Sequence, residues 1–287
     1  MHIALREIVN SAGRLIAMLA VLLALAGCTT TAVVAPAVKP LVSEKYAAIV
    51  IDANTEQVLY EEASNVPRHP ASLTKMMTLY LLFEALDSGR LNPLSQIPVS
   101  AYAASRPPSK IGLRAGQSID INTAILSLCV KSANDVATAV AEYLAGSEEQ
   151  FAKMMTAKAR QLDMRSTIFR NASGLPDPEQ ITTAHDMALL AMALHKRFPH
   201  HYHYFSNRSF SYAGKTIEGH NDLLGRVDGV DGLKTGYIRA SGYNLATSAG
   251  RGGRRVVAIV MGGETAKARD AHMEELIETY LSRGAPI

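Results

Sequence analysis

Ser72 and Lys75 stand three residues apart at the head of an apolar run, "SLTKMMTLYLLFEAL", in which Lys75 is the only charge before Glu84. On a helix, residues three apart share a face, with roughly 5–6 Å between their Cβ atoms. A hydroxyl and an amine can therefore meet. In water the amine is protonated and cannot act as a base. In an apolar site, or beside a second cation, its pKa falls and it can take the hydroxyl proton. Taken alone, the four residues also fit a plainer description, with Ser72 as a helix N-cap after Pro70-Ala71 and Lys75 reaching out of the first turn into solvent. Two later stretches change that balance. Ser132-Ala133-Asn134 lies between two helical segments, and Lys234-Thr235-Gly236 lies on a strand-like segment after "GVDGL". Each triplet is common by itself, since Ser and Asn between helices are ordinary turn residues. The ordered set S-x-x-K, S-x-N, K-T-G is far rarer.

The elements that must position these groups follow from periodicity. "YAAIVID" and "VLYEE" flank the turn "ANTEQ" as a hairpin. A helix is expected from Ser72, then a Pro- and Gly-rich loop around "RPPSKIGLRAG", then helices over Ile121–Val130, Asp135–Ala145 and Ser147–Leu162. The last of these opens on "SEEQ", a capping-box pattern. Another helix runs over Ala184–Arg197 and stops before Pro199. The C-terminal part is β-like: a hairpin turning at Ala213-Gly214, then three strands in "GVDGLKTGYI", "GYNLATSA" and "RRVVAIVMGG", and a final amphipathic helix over Lys267–Arg283. Strands at both ends around a helical middle predict an α+β body, an antiparallel sheet flanked by helices, in which the N-terminal hairpin joins the C-terminal strands.

Composition supports a large core, with 48% hydrophobic and 19% charged residues in 287. A net charge of +3 without a long basic run gives no case for nucleic acid. The first residues differ from the rest. Arg6 and Arg14 precede "LIAMLAVLLALAG", too short for a comfortable membrane span and suited to a signal-peptide core. It ends in "LAGC", so residues 1–27 are expected to be a signal peptide and Cys28 a lipidation site. Residues 28–44 are then a tether of at most roughly 60 Å, and 45–287 the folded domain. With Cys28 lipidated, Cys129 has no partner for a disulfide and reads as a small buried hydrophobe. The His-rich "HKRFPHHYHY" reads as a helix end and loop; there is no HExxH, and neither metal nor cofactor is expected.

"ASLTKMMT", "SANDVATAVAE", "FAKMMTAKARQLDMRSTIFRNASGL", "TTAHDMALLAMAL" and "DGLKTGYIRASGYNLATSA" together resemble the serine DD-peptidases of the low-molecular-mass penicillin-binding proteins, in the D-alanyl-D-alanine carboxypeptidase and endopeptidase branch. The resemblance covers about Tyr46 to Arg283. That group shares its fold and a closely similar motif set with the serine β-lactamases, so it implies a β-lactamase/transpeptidase-like fold with an inserted, mainly helical region. It implies roles as well. Ser72 would be the acylated nucleophile, Lys75 its general base and Ser132 a proton relay to the leaving amine. Asn134 would bind the substrate backbone and hold Lys75. Lys234 would set the local field and assist Ser132, and Thr235 would bind the terminal carboxylate. Gly236 would leave room for substrate along the strand edge, and the backbone N–H groups of Ser72 and Tyr237 would form the oxyanion hole. His220 stands where relatives carry a carboxylate-binding arginine, so carboxylate affinity should rise at mild acidity; Arg239 and Arg226 are the candidate substitutes.

The expected activity is D-Ala-D-Ala carboxypeptidase action on peptidoglycan stem peptides. Cleavage of cross-links by an endopeptidase, or a catalytically silent wall-binding lipoprotein, remain the alternatives. No glutamate in an E-x-x-L-N context is found, so β-lactams should be covalent inhibitors rather than rapidly hydrolysed substrates. The chain stops soon after its last helix, which fits a catalytic domain without a C-terminal β-rich domain, anchored through the N-terminal lipid. Such a lipoprotein would face the bacterial periplasm. Thr29 rather than Asp after the cysteine favours the outer membrane.

Overall fold

The computed structural model describes residues 38–283 other than 42. The signal segment and Cys28 lie outside the described residues. Residues from Val38 onward form one compact unit. Val38 is itself buried, 5% exposed, with Leu41 packed beside the same cluster. The chain thus joins the folded body several residues before the boundary expected at 45, because an apolar side chain in the tether finds a core to enter.

Strands β1 (Ala47–Asp52) and β2 (Val58–Glu62) form the N-terminal hairpin. β7 (Val230–Ile238), β8 (Gly242–Arg251) and β9 (Arg254–Gly263) form the C-terminal meander. They make one five-stranded antiparallel sheet in the order β2-β1-β9-β8-β7. The expected joining of the two ends is found, with Ala47 opposite Met261 and Asp52 opposite Val256. All six residues of β1 are buried, and they divide by alternation. Ala47, Ile49 and Ile51 enter the larger core with Val257, Ile259 and Met261, whereas Ala48 and Val50 enter the second core with Val256, Ala258 and Val260. A strand covered on both faces has no need of polar positions, which is why "AAIVI" contains none.

Helix α1 (Lys75–Asp87) occupies the centre of the larger core, its residues from Lys75 to Phe83 all buried. After it come β3 (Gln96–Pro98), the short helix α2 (Ala101–Ser105), β4 (Ser118–Asp120), which pairs with β3, and the short helix α3 (Ile121–Leu126). α4 (Asn134–Ala145), α5 (Glu148–Gln161) and α6 (Ala184–Arg197) complete the helical side. The hairpin β5 (Ser209–Tyr212) and β6 (Lys215–Glu218) turns at Ala213-Gly214, both at positive φ. α7 (Ala266–Tyr280) covers the second face through Met273, Leu276, Ile277 and Tyr280. Ser147, Thr183 and Thr265 cap α5, α6 and α7 by accepting from the backbone N–H three residues on.

Two boundaries depart from the sequence reading. Ser72 is not an N-cap: it lies inside a 3-10 turn, Ala71–Thr74, and α1 begins only at Lys75. The helix expected over Ile121–Val130 is α-helical to Leu126 and then widens into a π turn over Ser127–Lys131. Both irregular turns lie next to a motif serine, where wide or tight turns commonly re-aim side chains.

Candidate active site

The 3-10 turn aims Ser72 by packing on three sides. Ala71 adopts φ +49°, rare for a residue with a Cβ. Its carbonyl lies so close to Gly174 that a Cβ there would come within 1.8 Å. On the other side a Cβ on Gly236 would meet Ser72 N at 3.0 Å. The missing side chain at Gly236 lets β7 press against the turn, and the residue also lines the cleft. Asn244 of β8 completes the clamp by donating from Nδ2 to the carbonyls of His69 and Pro70, both at 3.1 Å.

Lys75 is wholly buried. Its Nζ lies 2.7 Å from Asn134 Oδ1, 2.5 Å from the Ser173 carbonyl and 3.1 Å from Ser72 Oγ. The first two atoms can only accept. As an ammonium, Nζ can donate to all three atoms; as a neutral amine giving its two hydrogens to the carbonyl oxygens, it would turn its lone pair to the serine hydroxyl. Electrostatics shift the balance toward the neutral form. Burial, and then the nearby charge of Lys234, hold Lys75 well below the usual ammonium range, against the opposing pull of Asp135 and Glu148.

The loop that supplies the Ser173 carbonyl is shaped by Asn171, whose Oδ1 accepts from Gly174 N at 2.7 Å and from Leu175 N at 3.2 Å. Asn134 is fixed in turn. Its Nδ2 donates to the Pro107 carbonyl at 3.0 Å, leaving one N–H of that amide for another acceptor. The neighbouring Asp135 carboxylate, fully buried, accepts from Gly112 N and Leu113 N at 2.9 and 3.0 Å and so ties the Pro- and Gly-rich loop to α4.

Ser132 follows the π turn in the left-handed region, φ +60°. Its Oγ is buried and has no hydrogen-bond partner among the described residues. A buried hydroxyl left unpaired carries a cost unless a ligand meets it. Lys234, also buried, donates to the Thr235 carbonyl at 2.9 Å rather than to Ser132, and burial lowers its ammonium to about 7. Ser72, Ser132, Asn134, Thr235, Gly236, Tyr237 and His220 all line one cleft of about 430 Å³ along β7, the edge strand of the sheet. The paired rings of Tyr237 and Tyr243, 4.3 Å apart, form part of its wall.

A family model described as D-alanyl-D-alanine carboxypeptidase matches residues 33–265. The chain belongs to that family. The D-alanyl-D-alanine carboxypeptidase DacF of Bacillus subtilis is 34% identical over 248 residues, covering 85% of this chain and 64% of that protein, so the chain spans just under two thirds of this relative. Among solved structures, the D-alanyl-D-alanine carboxypeptidase DacD from Francisella tularensis superposes with a TM-score of 0.83 at 30% identity, over 89% of this chain and 74% of that one. Penicillin-Binding Protein D2 from Listeria monocytogenes, in an ampicillin-bound form, superposes with a TM-score of 0.71 at 32% identity, over 81% and 96%. The fold is the penicillin-binding-protein and β-lactamase-like transpeptidase fold expected from the sequence.

Within this family fold, the arginine on the cleft wall is neither Arg239 nor Arg226. Arg226 pairs with Glu274. Arg269 of α7 lines the cleft instead, 3% exposed, held by Asp270 at 2.7 Å and donating to the Asn244 carbonyl at 3.2 Å. Nothing local in "KARDAH" marks Arg269; only the packing of α7 on β8 and β9 brings it to the site. His220 lies on the same wall, exposed to solvent. Partial desolvation by the surrounding protein, then the charges of Lys234 and Lys131, keep it below its ordinary pKa, so it carries charge only at more acidic pH than a free imidazole. Cys129 is partly buried against the larger core, and burial pushes its thiol up to about 12, which keeps it protonated.

Proposed function

We propose that the protein is a serine-type D-Ala-D-Ala carboxypeptidase acting on peptidoglycan stem peptides through an acyl-serine intermediate. The observation that carries this is the Lys75 amine, whose hydrogens are taken by Asn134 Oδ1 and the Ser173 carbonyl while Ser72 Oγ lies 3.1 Å away. In this reading Ser72 Oγ bonds to the carbonyl carbon of the penultimate D-Ala as its proton passes to Lys75 Nζ. The oxyanion accepts from the N–H groups of Ser72 and Tyr237, two fixed donors whose stabilisation exceeds that of mobile water. When the C–N bond breaks, the unpaired Ser132 hydroxyl gives its proton to the departing amine and takes one in return from Lys75 Nζ, which is neutral again. The free N–H of Asn134 meets a substrate carbonyl, while Thr235 and the Arg269 guanidinium take the terminal carboxylate. Water then attacks the acyl-serine; Lys75 takes the water's proton and passes it to the departing Ser72 Oγ, and the shortened stem peptide is released. A β-lactam acylates Ser72 by the same route.

Fluorescent penicillin should label the wild type covalently and leave Ser72→Ala unlabelled. Mass analysis of digested peptidoglycan should show loss of the fifth residue of the stem peptide. Opened cross-links without that loss would replace the proposal with an endopeptidase, and labelling of Ser72→Ala would end both.

The location is part of the same proposal. A signal peptide over residues 1–27 and a lipid on Cys28 would hold the domain on the periplasmic side, at the outer membrane. Support comes from the "LAGC" pattern and Thr29, and no helix among the described residues is long and apolar enough to cross a membrane. Palmitate incorporation should depend on Cys28; label retained in Cys28→Ser rejects the anchor.

A further inference from the structure

The His-rich stretch after α6 does more than end a helix. His200 and His201 each place Nε2 2.9 Å from one oxygen, Asp87 Oδ1, and the three candidate ligand atoms all lie within 4.8 Å of one another. We propose that Asp87, His200 and His201 bind a divalent first-row transition-metal ion of the zinc type, remote from the catalytic serine.

Three observations support the site. First, the donor set is chemically apt: two imidazoles and one carboxylate are a common three-ligand set for zinc, with water in the fourth position. With bonds of about 2.0–2.2 Å, a tetrahedral ion places neighbouring ligand atoms on the order of 3.3 Å apart. The present carboxylate-to-imidazole separations need to open by only a few tenths of an ångström. Second, the ligands are held in place. The His201 ring stacks on Phe83 at 4.7 Å and 16°, and Phe83 is fully buried. His200 rests against His201 at 4.2 Å, with its backbone carbonyl bonded to His203 Nδ1 at 2.9 Å. Third, Asp87 is the last residue of α1, where the aligned peptide dipoles already place partial negative charge. A carboxylate there is unfavourable by itself, and a bound cation answers both the side chain and the helix end. The site lies twelve residues along α1 from Lys75, about 18 Å at 1.5 Å per residue. It therefore pins the far end of the catalytic helix to the segment leading into β5 and touches no substrate.

The test is calorimetric titration of Zn2+ alone into the full chain, made without a polyhistidine tag, alongside Asp87→Asn and His200→Ala. One saturable equivalent is expected in the wild type, with affinity reduced at least about tenfold in each variant. Zn2+ should raise the melting temperature of the wild type only, and Co2+ should give the intense visible bands of a tetrahedral site that both variants lack. Penicillin labelling of Ser72 should be the same in all three, and metal-free melting shows that the near-isosteric Asp87→Asn remains folded. Equal Zn2+ affinity in wild type and variants, or no saturable binding below about 1 mM, overturns the proposal and leaves plain hydrogen bonds between Asp87 and the two imidazoles.

Discussion

The surroundings of the two buried motif lysines differ in one respect that governs the site. Lys75 is surrounded by acceptors that the protein supplies, from α4, from the 171–175 loop and from Ser72 itself. Lys234, equally buried, reaches only the carbonyl of the next residue. Desolvation lowers both ammonium groups. Lys75 is lowered further by the charge of Lys234, while the acceptors around its Nζ favour the ammonium and pull the other way. What singles out Lys75 is position: its Nζ lies 3.1 Å from Ser72 Oγ, so the neutral amine can work as a base there. Lys234, lowered to about 7, keeps part of its charge at neutral pH and acts through its field. Burial alone does not assign a role; the group within reach does.

Lys75→Ala is the most direct way to break this contrast. It should slow penicillin acylation of Ser72 by about 10^2–10^4, the usual range for losing a general base, measured by stopped-flow with a fluorescent penicillin. Asn134→Ala removes one of the three groups around Lys75 Nζ and should slow acylation less, because the Ser173 carbonyl and Ser72 remain. Gly236→Ala forces a Cβ against Ser72 N and should lower stability by about 1–3 kcal/mol, the cost of overpacking, read by denaturant unfolding.

Lys234→Gln sharpens the comparison rather than breaking it. Removing its positive charge eases protonation of Lys75, so the pKa of Lys75 rises. The ascending limb of the acylation pH profile should then move to higher pH; an unmoved limb shows that Lys234 does not act through its field. The smallest effect belongs to His220. Because its pKa is depressed, the gain in carboxylate affinity should appear only as pH falls below the ordinary imidazole range. It should show as a falling KM for a pentapeptide, and His220→Ala should flatten that trend.

Much of this was legible in the sequence because it was written locally. Continuous apolar runs in "AAIVID" and "RRVVAIVMGG" marked buried strands, "SEEQ" marked the start of α5, and Ala213-Gly214 marked a tight hairpin. The three motifs were found by order and spacing, and residues of each line one cleft. What escaped notice depends on contacts across the chain. Ser72 reads as a cap until Gly174 and Gly236 are seen to press on it from either side. Arg269 has no motif, and the convergence of Asp87 with His200 and His201 joins residues more than a hundred positions apart. The π turn before Ser132 is invisible to helix periodicity, since one wider turn shifts the apolar pattern by a single residue.

The pairing of β1 with β9 has a consequence for biogenesis. Ala47 waits for Met261, a strand made 214 residues later. At about 5–20 residues per second of synthesis, that is a delay on the order of 10–40 s. Throughout it, one edge of β1 lacks its partner strand, and non-local pairing of this kind is intrinsically slow. An unpaired edge of apolar residues invites association with other chains, so a chaperone that covers it should raise the yield of folded protein.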